Sequence, residues 1–223
     1  MFFFEHGKFI DNLVLNRGLE FYVISALFIL LLLTYPKTTV IISILLVTLF
    51  QYKLYTFLSS VTEQYKPESG DILIFFTHPT VDIPEWVFWG GGLSLHTNIP
   101  VRHYATVLDD KYFIESRHPA FPRYDNITRD FTRGYPRLAK LKYIYDDWNT
   151  GEIIVIKTGT NIDEKKRREI LHTFNKDGYW KGGGCLGHFN KTRKMIDETS
   201  PFFLSVEDIL KHHKDARIGH LKI

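Results

Sequence analysis

The order of elements in the sequence predicts an α+β domain, a small antiparallel sheet or barrel with packed helices, preceded by a transmembrane helical hairpin. Three observations carry this reading. Residues 21–50, FYVISALFILLLLTYPKTTVIISILLVTLF, contain one charge, Lys37. After Gly70, short apolar runs bounded by turn residues come first and helical patterns follow. The ~150 residues from Gly70 to the end are enough for one good core. The whole chain has 223 residues, 44% of them hydrophobic and 24% charged, which excludes a disordered or collagen-like protein.

The apolar run is too long for one untilted span of ~20 residues and short for two full ones. Pro36 biases Tyr35 away from helix, so the run divides into helices at about 19–35 and 38–55 within an anchor covering residues 1–65. A single long, tilted or kinked span is the alternative. Lys8, Arg17, Lys53 and Lys66 flank the run while its turn holds only Lys37, which favours both flanks on the cytosolic side. The stretch exceeds the ~7–15 residues of a signal h-region, which argues against a cleaved signal peptide.

EQYKPESG, residues 63–70, reads as a linker to a domain at 66–223. In that domain strands are expected at Asp71–Phe76 and Arg102–Leu108. A turn at Asp109-Asp110 leads to a strand at Tyr112–Ser116, giving a hairpin. Another strand follows at Ile153–Lys157. Asn161 or Asp163 would cap a helix to about Asn175, with Ile170, Leu171 and Phe174 on its apolar face. Helices close the chain at Cys185–Glu198 and Ser205–His213, the second opening with a capping-box pattern, SVED.

Ten histidines invite a metal, but His212 and His213 are adjacent and no HExxH or CxxC spacing is present, so no metal and no cofactor is expected. GGGL at 90–93 does not lead from a strand into a helix as a phosphate loop would. A net charge of +3 is too weak to argue for specific nucleic-acid binding. Lys111–Lys142 carries eight Lys or Arg against three acids, either a solvated surface or a face for a membrane or partner.

The single cysteine, Cys185, excludes a disulfide framework and suits a reducing compartment. A lone cysteine is commonly a small buried hydrophobe. Cys185, however, follows YWKGGG at the start of an expected helix, where free N–H groups stabilise a thiolate. A base and an orienter stand upstream: His103 opens one strand of the hairpin, and Glu115, on the other, lies near the same end.

GDILIFF at 70–76, HYATVLDDKYFIES at 103–116, GEIIVIKTGTNIDEKKRREILHTFNKDGYW at 151–180 and then GGGCLGHFN resemble the circularly permuted NlpC-like papain-fold proteins. That group includes YiiX-type bacterial proteins, a poxvirus virion protein and lecithin retinol acyltransferase relatives. The resemblance covers most of Gly70–Ile223 and implies a permuted papain-like domain. Cys185 would be its nucleophile, His103 its general base and Glu115 its orienting residue. The sequence departs from the family where Leu186, Gly187 and His188 lead into a polar, basic helix, and where Trp86 and Trp89 stand before His103.

The leading expectation is a membrane-tethered thiol hydrolase or acyltransferase acting on an amide or ester of a lipid, lipidated or membrane-associated substrate. It would contact the bilayer through residues 19–55, with its globular domain on the cytosolic or virion side. The alternative is a non-catalytic assembly protein, for example a minor capsid protein linking an internal membrane to the shell of a large DNA virus. Its partners would be capsid or other assembly proteins.

Overall fold

The computed structural model describes residues 30–76, 101, 103–116, 123–125, 130–132, 136–147, 152–176, 184–203 and 205–223. Its elements, in chain order, are α1 (Pro36–Ser60), β1 (Gln64–Tyr65), β2 (Ile72–Phe76), β3 (His103–Val107), β4 (Tyr112–Ser116), β5 (Arg123–Asp125), β6 (Asp130–Thr132) and β7 (Pro136–Lys140). A 3₁₀ turn (Leu141–Tyr143) and α2 (Ile144–Asp147) follow, then β8 (Glu152–Lys157), α3 (Glu164–Lys176), α4 (Gly184–Ile196), α5 (Val206–His212) and β9 (Arg217–Leu221). The domain is α+β, with a seven-stranded mixed sheet in the order β1-β9-β8-β2-β3-β4-β7 and a separate β5-β6 ribbon.

The β3–β4 hairpin forms because Asp109 Oδ1 accepts the N–H groups of Lys111 and Tyr112, at 2.8 and 2.7 Å, closing the turn with a side chain. Strand β2 is buried on both faces, which explains its unbroken apolar run, ILIFF. One face of the sheet holds Leu73, Phe75, Ala105, Val107, Phe113, Ile153 and Val155. Leu141 and Ile144, which follow the β7 edge, pack in the same cluster as Leu221 of β9 and Tyr65 of β1. Tyr145 also donates its hydroxyl to the Leu221 carbonyl at 3.2 Å. The sheet therefore curls until its two sides meet, with this cluster inside. The opposite face, with Ile72, Ile74, Tyr104, Ile154 and Ile156, is covered by Leu186 and Phe189 of α4 and by Val206 and Ile209 of α5. Ile170 of α3 packs on Leu108 and Ile114.

Capping follows the sequence closely. Asp163, and not Asn161, caps α3 by accepting the Lys166 N–H at 2.7 Å. At α5 the capping box is complete: Ser205 Oγ accepts from the Asp208 N–H, and the Asp208 carboxylate accepts from the Ser205 N–H. Gly70 has φ +87°, and a Cβ there would collide with the Thr160 carbonyl, so only glycine fits before β2. Next to it, Asp71 Oδ2 accepts the Glu68 N–H at 2.7 Å and pairs with Lys157 Nζ at 2.8 Å.

The anchor region differs from expectation. Residues 30–34 are helical, Tyr35 is not, and Pro36 occupies the first turn of α1, so the proline does divide the run. Yet among the described residues no helix is long and apolar enough to cross a membrane, and the expected transmembrane hairpin is without support. Gln51, Tyr52 and Lys53 interrupt the apolar run well before α1 ends, and most of the first arm, 19–35, lies outside the described residues. The last two turns of α1 instead join the domain core through Leu54, Phe57 and Leu58, followed by Val61 just past the helix end. Phe57 meets Phe76 with ring centroids 5.6 Å apart.

Candidate active site at one end of the sheet

Thr106 pairs with Ile114 and Val107 with Phe113 across β3 and β4. Alternation then puts His103 and Glu115 on the same face, one diagonal step apart. The two side chains are buried, and His103 Nε2 lies 3.2 Å from Glu115 Oε2. The edge of the His103 ring meets Phe75, its register partner on β2, at 5.4 Å between centroids. The pair is thus held between sheet side chains, and the imidazole orientation is fixed with Nε2 toward the carboxylate.

Cys185 is the second residue of α4 and is half-buried. Phe189, one turn later, stacks on Tyr104 at 5.1 Å. Two turns later Arg193 Nη1 donates to the Gly70 carbonyl at 2.7 Å, and the Gly70 N–H in turn bonds Val107. Helix α4 therefore runs along β3 from its His103 end toward its Val107 end. Its N-terminus, with Cys185, lies at the end of the sheet that holds His103 and Glu115. The sheet face differs: Tyr104 points to α4, and His103, the preceding residue, points to the interior of the curl.

The expectation that the helix start lowers the thiol pKa meets a larger opposing effect. Burial pushes the Cys185 thiol up to about 11, the N–H groups of Leu186 and Cys185 pull it down, and the Glu115 charge raises it again. At neutral pH only about one thiol in ten thousand is ionised at such a value. A nucleophilic role would need a base to take the proton during attack.

The polar helix after Cys185 does not face solvent as its composition suggests. His188, Asn190, Thr192 and Arg193 are buried. Asn190 donates to the carbonyls of Leu186 and Phe203 and accepts the Phe203 N–H, fastening the loop before α5. Arg193 is 0% exposed, and burial lowers its guanidinium to about 10 against the charges of Asp197 and Asp71. Neither Arg193 nor the Asp71–Lys157 pair was legible from sequence spacing, since their partners are backbone carbonyls or lie 86 residues away. Trp86, Trp89 and the glycines of both GGG runs before Gly184 lie outside the described residues. Among the described residues no three His, Cys, Asp or Glu side chains are grouped to hold a metal ion.

No family model matches the chain, and no curated protein matches it. Among solved structures it is similar to the metalloprotein yiiX from Escherichia coli O157:H7, with 14% identity, coverage of 68% of this chain and 82% of that one, and a TM-score of 0.38. A likeness of that size assigns neither a papain-like fold nor an activity.

Proposed function

We propose that the domain is a papain-like thiol hydrolase or acyltransferase that acts on an amide or ester bond. The observation that carries this reading is the buried His103–Glu115 pair at the end of the sheet where the helix bearing Cys185 begins. With Glu115 beside Nε2, the proposed base is Nδ1; His103 faces the interior of the curl and α4 the opposite face, so the proton passes from Cys185 Sγ to Nδ1 around the end of the sheet as the sulfur attacks the carbonyl carbon. The N–H groups at the start of α4 stabilise the developing oxyanion, each donor contributing ~3–4 kcal/mol. His103 then returns the proton to the leaving group. The acyl-enzyme passes its acyl group to water or to a second acceptor.

The N-terminal half of α1 exposes Val40, Ile41, Ile42, Ile44, Leu45 and Leu49. An apolar surface of that extent suits lipid contact and favours a lipid, lipidated or membrane-associated substrate. The test is labelling of the full chain with an acyl chloromethyl ketone at pH 7.5. Cys185→Ala should abolish it, and His103→Ala should slow it about 100-fold. A His103→Ala rate equal to wild type would remove the proposed base.

A non-catalytic assembly role, such as that of a minor capsid protein bridging a membrane and a shell, is the second reading. The protonated state of Cys185 favours it, as does the exposed apolar surface of α1. Labelling of Cys185 that is independent of His103, with the chain still floating with vesicles, would select this reading.

A further inference from the structure

The basic stretch of the sequence converges with two distant lysines. Where the curled sheet brings its β4–β7 side against its β1–β9 side, a cavity of about 530 Å³ is lined by Lys66, Lys111, Lys140, Lys142 and Lys222, with Asp110 the one acidic side chain. The five come from four separate parts of the chain: after β1, in the β3–β4 turn, at the end of β7 and after β9. Among the described residues none of the five is in an ion pair. Lys157, Lys166 and Arg167, by contrast, are matched with Glu68 and Asp71, with Glu169, and with Asp109 and Glu164.

A shortage of acids does not explain this, because the chain has 25 Asp and Glu for 28 Lys and Arg. The lysines line the hollow mainly with their methylene stems, which leaves their charged tips about its rim without an acidic partner, an excess of positive charge that an anion relieves. Lysine tips act as mobile point charges, suited to a compact, multiply charged group. Tyr112 and Leu141 in the lining offer apolar surface to whatever carries that group. The volume falls within the ~300–1,000 Å³ usual for small-ligand sites. The Asp109–Asp110 turn puts this hollow at the end of the hairpin away from His103, so it is separate from the thiol site.

We infer that this pocket binds a phosphorylated ligand, its phosphate groups borne either on a lipid headgroup or on a small soluble molecule. The full chain in zwitterionic nanodiscs, titrated calorimetrically with inorganic pyrophosphate at low salt, should show saturable one-site binding. Lys140→Gln with Lys222→Gln, from opposite sides of the seam, should weaken it about 100-fold, about tenfold for each charge-assisted contact removed. Lys140→Arg with Lys222→Arg keeps the charge and should retain binding, which separates loss of contacts from loss of fold. Lys165→Gln with Lys166→Gln on α3 should leave it unchanged.

Co-sedimentation with phosphatidylcholine vesicles, with and without phosphatidylinositol bisphosphate, distinguishes the sources. Retention that requires the bisphosphate lipid and is lost in the Lys140/Lys222 glutamine variant identifies a headgroup. Pyrophosphate binding without such retention identifies a soluble ligand. Absence of saturable binding to both probes, or equal weakening by the α3 variant, overturns the inference.

Discussion

His103 Nε2 lies 3.2 Å from Glu115 Oε2, with both side chains shut away from solvent. A histidine and a carboxylate so placed depend on each other, because removing either leaves the other buried with a lost partner. Glu115→Ala should destabilise the domain by about 3 kcal/mol, and Glu115→Gln, which preserves shape and a polar contact, by clearly less. Urea unfolding followed by fluorescence measures both, and equal stability of Glu115→Ala and wild type would show that the contact is incidental.

The elevated thiol pKa makes a kinetic prediction that does not depend on the substrate. Because burial holds Cys185 near 11, its alkylation by iodoacetamide in the His103→Ala background should rise about tenfold per pH unit between pH 7 and 10. A rate that levels off by pH 8 would show a thiol of ordinary acidity.

Asp71 and Lys157 form the main ion pair beneath the start of β2. Burial raises the Asp71 carboxyl above its ordinary value despite Lys157. For Lys157, burial acts downward, but Asp71 and Glu68 outweigh it and the ammonium is held above its usual value. Lys157→Met should therefore cost about 3 kcal/mol, and Asp71→Asn in the Lys157→Met background should recover part of that. Additive losses in a double-mutant cycle would mean that the two do not couple.

Gly70 is the second requirement at that corner. Gly70→Ala meets both a positive φ and the Thr160 carbonyl, and should destabilise by at least about 2 kcal/mol. A smaller loss in thermal or urea unfolding would mean that the corner relaxes.

His213 sets a pH dependence. Burial, with the charges of Arg193 and His212, lowers its imidazole from 6.5 to about 4, while Asp197 acts the other way. The folded state thus resists protonation that the unfolded chain accepts. The contribution of His213 to stability is complete above pH 6.5 and is lost as pH falls toward 4. The melting temperature should drop between pH 7 and 4.5, and His213→Gln should flatten that drop. An unchanged slope in the variant would assign it to other groups.

The sequence made visible what local rules govern. Strands β2, β3, β4 and β8 were readable from apolar runs, the starts of α3 and α5 from a choice between Asn161 and Asp163 and from Ser205, and the nearness of His103 and Glu115 at one end of the hairpin from a short turn. Elements decided by distant partners were not. Strand β7 begins with Pro136, which reads as a strand breaker but is tolerated on an edge. Strand β9 carries Gly219 and two basic residues, yet it pairs with β8, and its glycine lets the Tyr65 ring lie against the backbone. The two residues of β1 have no periodicity to read and exist because β9 offers an edge. The burial of polar residues in the helix after Cys185 was not readable, because they find their carbonyl partners only in the folded chain.

Helix α1 is continuous for 25 residues, and its exit is fastened where His220 Nε2 meets the Val61 carbonyl at 2.9 Å. From that clamped end the helix runs back through residues 36–53, a stiff strut of ~27 Å at ~1.5 Å per residue. A flexible leash would let the domain sample every distance and tilt. A strut with a clamped end fixes one stand-off and one heading, so whatever holds the N-terminal half of α1 also decides which side of the domain is presented.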